Sequence, residues 1–488
     1  MRETASRALR TVARLILATV FGGSVTLLTT HILQARSMPD TAFWHSDALP
    51  FEFDADDSDA DFESYLEYEN RLFAELAAFE QDNARSGPAA LFDRFSPGSR
   101  SNPRGRARNW NRTYILRPEK IRGGALLLHG LSDSPYSLRS IGQILVEEGY
   151  YVVGLRVPGH GTMPGALTEI DVRDWRETVA LAAGHVAEVS RSAAGDSAPI
   201  LFAGYSNGAA LAVDHTLRVI EHGRGRIPDR LILLSPALTV SPLAALARVQ
   251  LWMAAIPGLE KLAWIDILPE YDPYKYNSFP VNAGRQIYRL TGKIRTRLER
   301  LSAEQRAQFP PLLSFGSVVD ATVPPDSVVQ LVAALGANGS EVVLFDINRM
   351  TEAIDFIRAG NLAFLDGIVS STEADYAFTL VTNTAPDSAE VVARRRAAGS
   401  TEWTEEPLDL AWPQAVYSLS HVAVPFPPDD PVYGAHRDRS AVRPFPPIGS
   451  LDLRGERGVA SIPLDLAMRL RHNPFFAYVE DRVREAAR

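Results

Sequence analysis

The residues with the clearest chemical potential are Gly204-Tyr205-Ser206-Asn207-Gly208. They follow an apolar run, 199–203, and open onto Asn207, Gly208, Ala209 and Ala210, small residues suited to a helix start. A G-x-S-x-G turn between strand and helix strains the serine and leaves its oxygen exposed at the strand's C-terminal end. The hydroxyl is a poor nucleophile until a base takes its proton. In enzymes built on this elbow the chain order is serine, then carboxylate, then histidine. Asp320 fits the carboxylate: it ends the loop Ser317-Val318-Val319-Asp320 after the apolar run 311–315. Asp346, after the next strand, is the rival, and Asp326 belongs in the first turn of a helix.

Only His421, His436 and His472 follow Asp320. His472 is expected in a terminal amphipathic helix, on the surface. His436 sits among Arg437, Asp438 and Arg439, a solvated setting. His421 follows the strand-like 416–420 and precedes Pro425-Phe426-Pro427-Pro428, so it is the expected base. Charge developing on an attacked carbonyl needs backbone N–H donors. One is Asn207, which follows the serine. The other is Leu131, in the loop His129-Gly130-Leu131-Ser132-Asp133, where Gly130 lets the backbone turn close to the site. His129 lies upstream of the serine and reads as structural. His160, in Pro158-Gly159-His160-Gly161, reads as a residue that shapes its loop.

Positioning these groups requires alternating elements. Strands are predicted at 113–116, 124–128, 150–157, 199–205, 230–234, 311–315 and 341–345. Helices are predicted at 138–148, 172–189, 207–220 and 326–335. Short apolar strands separated by amphipathic helices imply an α/β architecture, a mostly parallel sheet with helices on both faces. Two stretches break the rhythm. Residues 238–309 are long, largely helical and carry Trp252, Ile256, Leu262, Trp264 and Ile265. Residues 348–411 form a second insertion with a strand-like 376–381 and a polar stretch, 388–406. The domain is thus expected over 111–488, with 37–110 as an extension outside the enzyme core. In that extension Asp54, Asp56, Asp57, Asp59 and Asp61 lie near the start of a helix at 61–81, where its dipole favours negative charge. Residues 96–108, rich in Ser, Pro, Gly and Arg, read as a solvated linker.

Taken together, the HGL loop at 129–131, the PGHG loop at 158–161, the GYSNG elbow, SVVDATVPP at 317–325 and LSHVAVPFPP at 419–428 resemble α/β-hydrolases of the carboxylesterase and monoacylglycerol-lipase type. The resemblance covers about 112–347 and 412–434. It implies the α/β-hydrolase fold, a cap between the sixth strand and the acid strand, where 238–309 falls, and two-step acyl transfer on an ester. The departure is 348–411: in most relatives the histidine follows the last core strand closely.

Bulk properties fit a folded enzyme, with 46% hydrophobic and 22% charged residues. A net charge of -9 without a basic stripe argues against nucleic acid as a partner. The absence of cysteine removes thiol catalysis, disulfides and Cys-ligated zinc. No cofactor is implied. The expected ligand is a small ester or acyl compound. At the N-terminus Arg2, Arg7, Arg10 and Arg14 precede an uncharged, mostly apolar run from Leu15 to Gln34. About 20 such residues can cross a bilayer. Residues 1–36 are therefore expected to anchor the chain in a membrane, with the catalytic domain in the periplasm or outside the cell. A cleaved signal at Ala35-Arg36-Ser37 is the alternative. A peptidase or thioesterase would use the same three residues, and a membrane-anchored, non-catalytic binding protein is the rival from another class.

Overall fold

The computed structural model describes residues 2–46, 49, 52–55, 60–83, 90, 93–239, 247–351, 359–370, 374–435 and 469–488. A long helix α1 (Arg2–Ser37) leads into a short turn α2 (Phe43–Ser46) and helix α3 (Phe62–Asp82). The core then runs β1 (Tyr114–Leu116), β2 (Gly123–Leu128), α4 (Arg139–Glu147), β3 (Tyr150–Leu155), α5 (Val172–Ala194), β4 (Ile200–Tyr205), α6 (Asn207–His222) and β5 (Arg230–Leu234). The cap holds α7 (Ala247–Ala254), a small hairpin of β6 (Trp264–Asp266) and β7 (Phe279–Pro280), α8 (Val281–Arg300) and α9 (Ala303–Arg306). The core resumes with β8 (Leu312–Ser317), α10 (Asp326–Leu335) and β9 (Glu341–Phe345). The second insertion supplies α11 (Ala359–Ser370), β10 (Ala377–Asn383), β11 (Glu390–Arg396) and β12 (Trp403–Ala411), and α12 (Phe476–Ala487) closes the chain.

One ten-stranded sheet has the order β1-β3-β2-β4-β5-β8-β9-β10-β11-β12. From β3 to β10 every pair is parallel. Pairings are antiparallel at both ends, β1 with β3 and β10 through β12. The central strands are apolar on both faces because both are covered: β2, β3, β4 and β8 are buried throughout. Residues such as Leu126, Leu128 and Phe202 pack with Trp175, Val186 and Leu217 on one face. Their alternates Leu127, Leu201 and Ala203 pack with Ile141, Val479 and Val483 on the other. Each predicted core strand and helix is present. The sheet runs three strands beyond β9, and of these only β10 is anticipated by the sequence pattern.

Three expectations need correction. First, Arg2–Ser37 is helical, but among the described residues no helix is long and apolar enough to cross a membrane. Glycine, Ser, Thr and His31 interrupt its apolar run. Its C-terminal end instead meets protein: Ile32 and Ala35 pack with Met253, Leu259 and Leu262 of the cap. Lys261 Nζ reinforces the contact, donating to the Met38 carbonyl at 3.1 Å and to Asp40 at 2.8 Å. Second, the extension belongs to the enzyme core. Phe53, Phe62 and Tyr65 join the main hydrophobic cluster, while Trp44, Phe73 and Phe95 form another with Met163. Third, 96–108 is no solvated linker at its start: Ser96, Ser99, Ser101 and Asn102 are buried. Ser96 Oγ donates to Asp93 at 2.9 Å and Asn102 Nδ2 to the Ser96 carbonyl at 3.3 Å, so these two side chains are satisfied locally. The acidic run does serve a helix start, with Asp61 as N-cap of α3 in a capping box with Ser64. Asp56, Asp57 and Asp59 lie outside the described residues.

Candidate active site

Because the sheet is parallel, the loops after β2, β3, β4, β5 and β8 emerge along one edge, where ligands of such sheets bind. Ser206 follows β4 with φ of +53° and ψ of -113°, a conformation rare for a residue with a side chain. Its surroundings over-determine it. The Ser206 N–H donates to the Leu234 carbonyl at 2.9 Å, and its own carbonyl accepts from Ala237 N at 3.1 Å and Ala209 N at 3.1 Å. Gly208 permits the helix to sit this close, since a β-carbon there would lie 1.9 Å from the Leu128 carbonyl oxygen. Asn207, first residue of α6, is buried, and both polar atoms of its side chain lack a hydrogen-bond partner among the described residues.

His421 and Asp320 meet. The imidazole Nδ1 lies 2.8 Å from Asp320 Oδ2, across 101 residues of sequence, and both side chains are buried. The other carboxylate oxygen, Oδ1, accepts from Thr322 N at 2.8 Å and Val323 N at 2.9 Å, so Asp320 is fixed from behind. With Nδ1 engaged, Nε2 is the nitrogen free to take a proton. The imidazole centre stands 5.4 Å from the ring of Tyr205, the residue before the serine. His421 does not follow a strand as expected. Of its lead only Ser418 pairs, in an isolated bridge to Ile347, and the histidine opens a short 3-10 turn, His421–Ala423. The C-terminal segment steadies that turn: Ser420 Oγ donates to the Leu470 carbonyl, and Asn473 N donates to the Phe426 carbonyl at 2.7 Å.

Asp346, the rival acid, is committed elsewhere. It pairs with Arg349 at 2.8 Å and accepts from Thr382 Oγ1 at 2.9 Å. Of the remaining histidines, His472 precedes the terminal helix and is buried rather than exposed. His436 lies outside the described residues.

Leu131 lies in the loop after β2, partly buried. Gly130 is required beside it, since a β-carbon would lie 2.7 Å from Asp133 Oδ2 and 2.9 Å from the Tyr205 ring. His129 staples this loop to its neighbour. Its Nε2 accepts from Val157 N at 3.0 Å while Nδ1 donates to the Gly130 carbonyl at 2.9 Å. That pattern needs a neutral ring, and burial holds its pKa well below the ordinary histidine value. His160 is likewise buried, its Nδ1 against the carbonyls of Val157 and Pro158 at 3.1 Å, and burial lowers its pKa to about 4. Both match their predicted structural roles. Among the described residues no three His, Cys, Asp or Glu side chains gather as a metal site would require. What sequence reasoning missed lies in the cap: Lys275 and Tyr276 reach back to Asp133 and Ser132. No local motif marks them.

Residues 119–347 match the family described as Hydrolase_4, serine aminopeptidase, S33. A thermostable monoacylglycerol lipase from Bacillus sp. (strain H-257) is 24% identical over 241 residues, spanning 48% of this chain and 84% of the relative. Among solved structures, a monoacylglycerol lipase from Paleococcus ferrophilus is 20% identical and aligns over 48% of this chain and 88% of its own, with a TM-score of 0.36. A soluble variant of monoglyceride lipase from Saccharomyces cerevisiae is 12% identical over 48% of this chain and 82% of its own, at a TM-score of 0.37. The parallel sheet, the elbow at its edge and the sequence match across both make this chain an α/β-hydrolase, of the type to which esterases and lipases belong.

Proposed function

We propose that the chain is a serine hydrolase that cleaves a carboxylic ester by acyl transfer, with Ser206 as nucleophile, His421 as base and Asp320 as orienting acid. The observation that carries this is the 2.8 Å contact between His421 Nδ1 and Asp320 Oδ2, with the imidazole 5.4 Å from the ring of Tyr205, the residue before the strained elbow serine. His421 Nε2 takes the Ser206 proton as the oxygen attacks the ester carbonyl, and the bond to Asp320 fixes the tautomer and favours the imidazolium that forms. Backbone N–H groups of Leu131 and Asn207 receive the oxyanion. The imidazolium then protonates the leaving alcohol, and water, activated by the same base, releases the acid.

The curated relative named a monoacylglycerol lipase supports an ester with an apolar acyl group. The family description, serine aminopeptidase, favours amide cleavage as the second reading. Both are tested by one experiment. A panel of p-nitrophenyl esters of rising chain length and aminoacyl p-nitroanilides is run on wild type and Ser206→Ala, with fluorophosphonate labelling in parallel. The expected result is ester turnover and labelling in wild type, both abolished by the substitution. A folded wild type that neither turns over nor labels would sink the catalytic reading and favour a binding protein. Anilide turnover exceeding ester turnover would favour the peptidase.

A further inference from the structure

The loop that carries Leu131 is held by two consecutive cap residues. Ser132, next to Leu131, has φ of +62°, a left-handed conformation that is unfavourable for a residue with a side chain and persists only when its surroundings impose it. Its carbonyl accepts from Tyr276 N at 2.8 Å. Asp133 follows, buried, with its Oδ1 3.1 Å from Lys275 Nζ. Burial pushes the Asp133 carboxyl above the usual carboxylate range while Lys275 pulls it back down. The Tyr276 hydroxyl extends the grip to the neighbouring loop, donating to the Gly159 carbonyl at 3.2 Å and accepting from Thr162 N at 2.8 Å.

The cap residues are themselves braced. Arg94, from the N-terminal extension, donates through Nη1 to the carbonyls of Asp272 at 3.4 Å and Lys275 at 3.3 Å. Its backbone N donates to the Glu270 carbonyl at 2.9 Å, and its guanidinium lies 5.3 Å from the centre of the Tyr276 ring. The Glu270 carboxylate in turn accepts from the backbone of Ser278 at 2.8 Å and Asn277 at 3.0 Å. The segment 270–278 is therefore a rigid bracket between the extension and the loop after β2.

We propose that Lys275, through its ion pair with Asp133, is a positioning residue that holds the Leu131 N–H where an oxyanion donor must stand. This rests on the role given to Leu131 under the proposed function. An oxyanion donor works only within a few tenths of an ångström of its target, so the loop must be fixed before the substrate arrives. Without Lys275 the Asp133 carboxylate would be buried and unpaired. It would relax toward water and take the strained Ser132 and its neighbour Leu131 with it.

The test is steady-state hydrolysis of a p-nitrophenyl ester by full-length wild type, Lys275→Met, Lys275→Arg and the double variant Lys275→Met/Asp133→Asn. Fluorophosphonate labelling and thermal melting accompany the kinetics. Lys275→Met should lower kcat at least about tenfold with KM within about twofold, as misplaced catalytic groups do. Lys275→Arg keeps the charge and should recover kcat to within about threefold of wild type. The double variant, which buries no unpaired charge, should recover the melting temperature while kcat stays low, and it keeps the test open if Lys275→Met does not fold. An unchanged kcat in Lys275→Met or the double variant, or a loss confined to KM, overturns this inference alone when wild type labels and turns over. A wild type that does neither overturns the reading beneath it, and this inference with it.

Discussion

Asp320 and Asp346 follow adjacent strands of the same sheet, yet their surroundings give them opposite work. Asp320 turns Oδ2 to His421 and uses Oδ1 on two backbone N–H groups. Asp346 spends both oxygens on Arg349, Thr382 and the Ile347 N–H. Replacing Asp320 with Asn offers the imidazole a donor where an acceptor stood, which favours the wrong tautomer. With the roles proposed above, Asp320→Asn should therefore lower kcat by about 10³–10⁴, as the same change does in serine triads. Asp346→Asn should leave turnover within about threefold and lower the melting temperature, because it weakens the pairing of a buried carboxylate with the half-buried Arg349. Turnover measured on both variants decides the matter: a larger loss from Asp346→Asn would reverse the assignment. Residue types and chain order select Asp320 from the sequence, since the loop after β5 holds no acid at Ser235-Pro236-Ala237. The partners that commit Asp346 become visible only in three dimensions.

At the scale of elements, the loops after β2 and β3 depend on two imidazoles that must stay neutral, and this gives the fold a pH dependence of definite sign. His160 has its pKa lowered by burial to about 4, and that of His129 is lowered well below the ordinary value. In the unfolded chain both take up protons below about 6.5. Between there and about 4 the unfolded state thus binds more protons, so their contribution to stability falls as pH falls. Glu80 and Glu270 act oppositely, since burial raises each to about 7 and the folded state holds the extra protons on the acid side. The clean readout is therefore a difference. The gap in melting temperature between wild type and His160→Gln should shrink as pH is lowered from 7 toward 4.5, and a constant gap would count against the assignment. The core elements were legible because parallel strands buried on both faces read as unbroken apolar runs, as in Leu126-Leu127-Leu128. β11 and β12 were not, because they form an edge hairpin whose charges face each other and solvent, as Arg394 and Glu405 do at 2.9 Å. The serine was legible from five contiguous residues. The bracket formed by Lys275 and Tyr276 was not, because its partners lie more than a hundred residues upstream and no spacing rule joins them.

At the scale of the whole molecule, the N-terminal extension is an integral part of the hydrolase, held by a buried charge cluster at the end of β3. Arg156 is 1% exposed. It donates to Glu52 at 2.8 Å, to Glu69 at 3.2 Å and to the His160 carbonyl at 3.0 Å. Glu69, on α3, also accepts from Thr113 N at 3.0 Å and Thr113 Oγ1 at 2.7 Å, just before β1. Tyr65, one turn earlier, donates to the Arg156 carbonyl at 2.5 Å. One carboxylate thus ties the extension to the first strand and to the loop of His160 together. Removing Glu69 takes one of two carboxylates from the buried Arg156 and leaves the Thr113 N–H and hydroxyl without their acceptor, a loss of buried hydrogen bonding that costs about 1–3 kcal/mol. Glu69→Ala should therefore lower the urea midpoint substantially, whereas Glu188→Ala, which breaks an exposed pair with Arg191 on α5, should leave it unchanged. The two variants remove the same charge, so a general electrostatic effect would move both alike, and only burial separates them. Equal midpoints for the two would mean that α3 is an appendage resting on the domain. The predicted separation makes it a structural wall of the enzyme, and the bracket that reaches the loop after β2 then has a fixed base to stand on.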